Sequence, residues 1–232
     1  MKIGILLTQP AIPERDKKFG TFDEMFKTFL LSADNSFSFT VYDILHNEWP
    51  ESLSECDGWL ITGSMHDAYG NLPWITRLKD FIVRCNIEKS KLIGVCFGHQ
   101  IIAEALGGKV EKALQGWGVG VHEFNVEYTF PWMKPSLSKI SLLYSHQDQV
   151  VRMPHNATLI GGDPFCPHRM FTVEDHILAI QGHPEFSSEF EAFLLDSKKN
   201  IIPSEVYNRA VESLSNHIDN TTIAKWMVKF YL

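Results

Sequence analysis

One cysteine of this 232-residue chain stands between two glycines, in Gly94-Val95-Cys96-Phe97-Gly98. The apolar run Leu92-Ile93 precedes it, and a helix-like pattern, Ile101-Ile102-Ala103-Glu104-Ala105-Leu106, follows. Small residues on both sides let a strand turn sharply into a helix, which is the nucleophile-elbow layout with Cys in place of Ser. The turn lifts the thiol out of the sheet and sets it at a helix N-terminus. There the helix dipole and free backbone N–H groups favour a thiolate. The chemistry to expect from Cys96 is nucleophilic attack on an acyl carbon.

A thiol nucleophile needs a group that takes its proton and later returns it to the leaving atom, and histidine suits that exchange near neutral pH. The buried-strand pattern Ile177–Gln181 runs into Gly182-His183-Pro184-Glu185. His183 is the candidate base, and Glu185, held two residues on by the stiff Pro184, is the candidate carboxylate that orients it. A third segment, Gly58-Trp59-Leu60-Ile61-Thr62-Gly63-Ser64, ends a strand in small residues whose backbone N–H groups can face a developing oxyanion. Each segment alone has an ordinary structural reading, since free cysteine is among the most buried residue types. Their joint occurrence at strand ends is what points to a site.

Such groups meet only if several strands deliver their carboxyl ends to one place. Strands are expected at Lys2–Thr8, Phe37–Asp43, Gly58–Thr62 and Lys91–Val95, alternating with helices at Phe22–Ala33, Trp74–Glu88 and Gly98–Leu106. That βαβ alternation predicts an α/β fold of three layers, a mostly parallel central sheet with helices on both faces. Beyond Gly107 the strand candidates shorten: Gly118–Val126, Leu142–Tyr144, Thr158–Gly161, Arg169–Val173 and Ile177–Gln181. They predict a mixed or antiparallel extension. Ser188-x-x-Glu191 matches a capping box for a helix over Glu189–Lys198, and Ser204–Leu232 reads as two more helices divided near Asn220. The length suits a single domain over 1–232, with the C-terminal helices 187–232 part of it.

The elbow Gly94–Gln100, the Gly182-His183-Pro184-Glu185 motif and Ser145-His146-Gln147-Asp148 resemble the class I (triad) glutamine amidotransferase family, over roughly Met1 to Phe190. Gly63-Ser64-Met65-His66-Asp67-Ala68-Tyr69-Gly70 and Cys96-Phe97-Gly98-His99-Gln100-Ile101-Ile102 resemble its stand-alone, gamma-glutamyl peptidase-like members. The resemblance implies a flavodoxin-like class I glutaminase fold. It implies Cys96 as nucleophile, His183 as base and acid, and Glu185 as orienting carboxylate. It places the oxyanion hole at the N–H of Phe97 and one from Gly63-Ser64. Gln100 would hold the α-amino acid end of the substrate, with Gln115, Gly116, Trp117, Ser145 and His146 lining the pocket. Many family members carry two glycines where this chain has Gly63-Ser64, and the Cβ of Ser64 changes how that peptide presents its N–H.

The expected activity is hydrolysis of a γ-glutamyl amide, in glutamine or a γ-glutamyl peptide, through a γ-glutamyl thioester, by a stand-alone hydrolase. The alternatives are a glutaminase subunit delivering ammonia to a separate synthase, a non-catalytic cysteine redox sensor and a general cysteine esterase. No Ser-Gly-Gly-x-Asp-Ser loop is present, so ammonia made here would need a separate acceptor protein. No cofactor and no metal are expected, and Cys166-Pro167-His168 reads as a surface turn. A formal net charge of −7, with no basic cluster, argues against nucleic-acid or membrane partners. The partner that the resemblance implies is a small-molecule γ-glutamyl substrate. Four scattered cysteines without C-x-x-C spacing, and no leader-like run, give a cytoplasmic expectation.

Overall fold

The computed structural model describes residues 1–232. Four short apolar runs form the parallel heart of the sheet: β1 (Lys2–Leu7), β3 (Gly58–Ile61), β4 (Lys91–Val95) and β11 (Ile177–Ile180). Every residue of β3 and β11 is buried, as expected where helices cover both faces of a parallel sheet. Alternate residues serve the two layers. Ile3, Ile5, Leu60, Ile93, Val95, Leu178 and Ile180 meet one helix layer, whereas Leu6, Trp59, Ile61, Leu92, Ile177 and Ala179 meet the other.

The first layer holds α2 (Phe22–Leu31) and α7 (Asn220–Tyr231), through Phe26, Phe29 and Leu30 against Trp226, Met227 and Phe230. A capping box starts α2, with the Thr21 N–H donating to Glu24 Oε2 at 2.9 Å. The Tyr231 hydroxyl donates to the Trp59 carbonyl at 2.8 Å and pins the end of the chain to β3. The second layer holds α3 (Pro73–Glu88) and α4 (Phe97–Ala105). Proline opens α3, where its missing N–H costs nothing, and Lys89 ends it in the left-handed conformation.

The large sheet has nine strands in the order β2-β1-β3-β4-β11-β10-β9-β6-β7, where β2 is Ser38–Asp43, β6 Gly118–Val126, β7 Lys139–His146, β9 Ala157–Gly162 and β10 Met170–Val173. Pairing is parallel from β2 to β11 and antiparallel from β11 to β7. The expected α/β architecture and its antiparallel extension are thus both present. The chain leaves β1 for the edge strand β2 and returns on the other side to β3. This reversal makes a crevice at the carboxyl ends of β1 and β3, where ligands bind in open α/β sheets.

Several details differ from the sequence reading. Helix α1 (Pro13–Phe19) was not expected, because PERDKKF has no apolar period to signal it. Strands β5 (Lys109–Lys112) and β8 (Asp148–Arg152) pair in a separate two-stranded sheet. The cap of α5 (Ser188–Ser197) is Ser187, not Ser188: Ser187 Oγ accepts the Phe190 N–H at 3.1 Å. Glu191 is therefore free of any capping role and is wholly buried. Cys166 is also wholly buried, whereas Pro167 beside it is exposed in a turn, so only the cysteine departs from the surface-turn reading. Helix α6 (Ser204–Ser213) packs on β6, and no helix is long and apolar enough to cross a membrane.

Candidate active site

Cys96 caps α4 in a backbone conformation that L-residues rarely adopt, φ 53° and ψ −100°. Two close approaches hold it there. A Cβ on Gly94 would run into the Gly98 carbonyl, and one on Gly98 would lie 2.5 Å from the Ile61 carbonyl oxygen. The strand and helix can approach this closely only with glycine at both positions. The Cys96 N–H donates to the Ile180 carbonyl at 2.8 Å, tying the elbow to β11.

The same end of β11 delivers His183 and Glu185. The His183 N–H donates to the Leu143 carbonyl of β7 at 2.8 Å, which fixes its backbone. Its Nδ1 donates to Glu185 Oε1 at 2.7 Å, and the Phe186 ring stacks on the imidazole at 3.8 Å and 7°. Burial disfavours the imidazolium, but the Glu185 carboxylate and a thiolate at the adjacent Cys96 outweigh it. Together they hold the His183 pKa up at about 10.

Gly63 closes the third side. A Cβ there would lie 2.9 Å from His183 Cε1 and 3.8 Å from Cys96 Cβ, so only glycine lets this strand end meet both groups. The Gly63 carbonyl accepts from Thr8 Oγ1 and Thr62 Oγ1, each at 3.2 Å. In a planar trans peptide the N–H points opposite to the carbonyl. The Ser64 N–H is therefore turned away from the threonines, and it makes no hydrogen bond within the chain. Ser64 Oγ donates to the Thr8 carbonyl at 2.7 Å, so the extra Cβ and hydroxyl help anchor the loop. Phe97, first in α4, adds an N–H that no intrahelical carbonyl reaches. Two free backbone donors thus flank Cys96.

Cys96 stands where two cavities meet. The larger, about 310 Å3, is lined by Gln100, Trp117, Ser145 and His146 among the expected residues. Gln115 and Gly116 do not reach it: Gln115 lines a separate groove beside β6, and nothing lies near the Cα of Gly116 on its side-chain face. Gln100 is more committed than expected. Its Nε2 donates to the Asp148 carbonyl at 2.9 Å and to Gln181 Oε1 at 3.1 Å, leaving only Oε1, an acceptor, for a bound molecule. Burial pushes the His146 pKa well down, and Nδ1 pairs with the Asp148 carbonyl at 3.0 Å, so His146 is a neutral wall. Burial and the neighbouring Asp67 push the Asp148 carboxyl up.

Sequence reasoning missed Lys198 and Arg15. Lys198, at the end of α5, lines both cavities and donates to Ser145 Oγ at 2.9 Å. Burial lowers its pKa, against the pull of Glu191 and of charge at Cys96. Arg15 lies in α1 and lines the second cavity, of about 160 Å3, together with His183. Neither residue sits in a recognisable motif; only the packing of α1 and α5 over the strand ends brings them in.

A crevice at the strand ends, an elbow cysteine, and a His–Glu pair following a neighbouring strand mark an α/β protein of the nucleophile-elbow kind. The chain belongs to the class I glutamine amidotransferase family: residues 25–198 match the family model "Glutamine amidotransferase class-I". Gamma-glutamyl peptidase 2 of Arabidopsis thaliana is 29% identical over 232 residues, covering 96% of this chain and 93% of that protein. Gamma-glutamyl peptidase 3 of the same plant is 30% identical, covering 78% and 75%. The crystal structure of a glutamine amidotransferase from Methylobacillus flagellatus superposes with a TM-score of 0.77 at 19% identity, covering 99% and 92%, and shares the fold.

Proposed function

We propose that this protein is a stand-alone cysteine hydrolase of γ-glutamyl amide bonds, working in the cytoplasm as a single domain over residues 1–232. The observation that carries the reading is the elbow thiol of Cys96 set beside the buried His183–Glu185 pair, with two unengaged N–H groups flanking it. The similarity to two gamma-glutamyl peptidases across most of the chain supports the substrate class.

In this reading Cys96 Sγ attacks the γ-carbonyl carbon, and the carbonyl π electrons move onto oxygen. The Ser64 and Phe97 N–H groups receive that oxyanion. The oxyanion collapses, the C–N bond breaks, and the nitrogen takes a proton from His183. A γ-glutamyl thioester remains on Cys96. Water then gives its proton to His183 as it attacks the thioester, and collapse releases glutamate and the thiolate. Glu185 holds the imidazole tautomer and compensates its charge throughout. The α-amino end of the γ-glutamyl group lies in the larger cavity, against Gln100 Oε1 and the carboxylates of Asp67 and Asp148. Trp117, Ser145 and His146 wall the same cavity.

The test is glutamate release by purified protein from glutamine and from γ-glutamyl dipeptides, with Cys96→Ala alongside. Release that vanishes in Cys96→Ala supports the hydrolase. Release that persists in the variant, or that occurs only when a synthase is added, contradicts it.

A further inference from the structure

We infer that the 160 Å3 cavity enclosed by α1, α2 and α5 is a leaving-group subsite, built for an amino acid with an apolar side chain and a free carboxylate that Arg15 reads. The inference rests on the hydrolytic reading above and names the substrate class within it.

Position is the first argument. Of the two cavities meeting at Cys96, only this one is lined by His183. The amine that leaves the acyl carbon takes its proton from His183, so it must depart on the His183 side. Size is the second. Ammonia is about as large as water, whose share of liquid volume is ~30 Å3. A space of about 160 Å3 is several times that.

Lining is the third. Ile12, Phe22, Met65 and Leu194 supply apolar walls, and no carboxylate borders the cavity. Its cations are Arg15 and Lys198. The Arg15 side chain is 3% exposed. Its Nε and Nη2 face Asp16 Oδ1 at 2.7 and 2.6 Å, Nη2 also donates to the Pro10 carbonyl at 3.2 Å, and the guanidinium lies 4.9 Å over the Phe22 ring. These contacts fix the guanidinium plane while Nη1 has no hydrogen-bond partner in the chain. With Nε and Nη2 already engaged, the held guanidinium keeps Nη1 open to a further acceptor beside the cavity, and guanidinium–carboxylate pairing is the strong case. The C–N bond broken is the γ-amide; the carboxylate of the departing residue is unchanged and serves only as a handle.

The test compares kcat/KM for γ-glutamyl-leucine, γ-glutamyl-leucinamide and glutamine, measured as glutamate release by the full-length protein. Wild type should prefer leucine to leucinamide by about tenfold or more, the usual worth of a charged hydrogen bond. Arg15→Gln should bring that ratio close to one, and Leu194→Trp should lower the leucine-to-glutamine ratio by about tenfold. A variant that is merely less stable lowers all substrates together and leaves both ratios where they were. Equal use of leucine and leucinamide by wild type, or an unchanged ratio in Arg15→Gln, overturns the subsite. If Arg15→Gln does not fold, Lys198→Gln decides: a leucine-to-leucinamide preference that survives it belongs to Arg15, and one that falls to about one overturns Arg15 as the reader. Release from glutamine only also overturns it while leaving the hydrolase standing. No Cys96-dependent release from any of the three overturns the hydrolytic reading itself.

Discussion

His183 Nδ1 donates to Glu185 Oε1 at 2.7 Å, and both side chains are almost wholly removed from solvent, 4% and 0% exposed. A buried ion pair of this kind depends on each partner, because removing one leaves an uncompensated charge. Glu185→Gln keeps the shape but reverses the preference among histidine protonation states. We expect kcat to fall about 10²–10⁴-fold, the range typical of lost general acid–base catalysis. Steady-state glutamate release, checked against an unchanged circular dichroism spectrum, measures it.

The raised His183 pKa has a consequence for pH. The folded value of about 10 lies above the ordinary 6.5, so the stabilisation is fully present below 6.5 and is lost as pH rises through about 10. Cys96→Ala removes one of the negative charges that raise it. NMR titration should therefore show the His183 ring changing protonation at a lower pH in Cys96→Ala than in wild type.

Gly63→Ala tests the closeness of the strand end to the base. The added methyl would lie 2.9 Å from His183 Cε1, tighter than real contacts allow, so the imidazole must shift. Misplacing a catalytic group by about 1 Å can cost ~10²-fold. We expect a loss of that order in kcat with little change in KM, read from initial rates.

Glu191 is wholly buried, and burial lifts its pKa to about 8 against the pull of the Lys198 charge. A carboxyl whose pKa rises on folding holds its proton more tightly in the folded chain. Its contribution to stability therefore falls as pH climbs from about 4.5 towards 8. Glu191→Gln should be close to wild type in Tm at pH 5 and higher by several degrees at pH 8.5, given about 2–4 °C per kcal/mol at this size. Differential scanning calorimetry across that range decides the matter.

The buried strands and the elbow were readable because they depend on local features. Four-to-six-residue apolar runs such as Gly58–Ile61 and Ile177–Ile180 have few other stable fates, and glycines at 94 and 98 leave little room for another turn. The order of strands then brought Cys96, His183, Glu185 and Gly63 together, as the motifs implied. What stayed hidden depends on tertiary packing. Helix α1 carries five charged residues in seven and no apolar stripe, so neither it nor Arg15 stood out. The Ser188-x-x-Glu191 spacing matched a capping box, but the structure caps α5 with Ser187. Gln115 and Gly116 were implied by the family resemblance, but the loop carries them off the larger cavity, since residue type does not set the path of an open loop.

The central claim is a covalent γ-glutamyl thioester on Cys96. The most direct measurement is intact-protein and peptide mass spectrometry on enzyme quenched with acid during turnover of a γ-glutamyl dipeptide. The account predicts a glutamyl adduct on the Cys96 peptide, discharged by hydroxylamine and absent from Cys96→Ala. Turnover at the wild-type rate by Cys96→Ala, or an adduct on another residue, would contradict it.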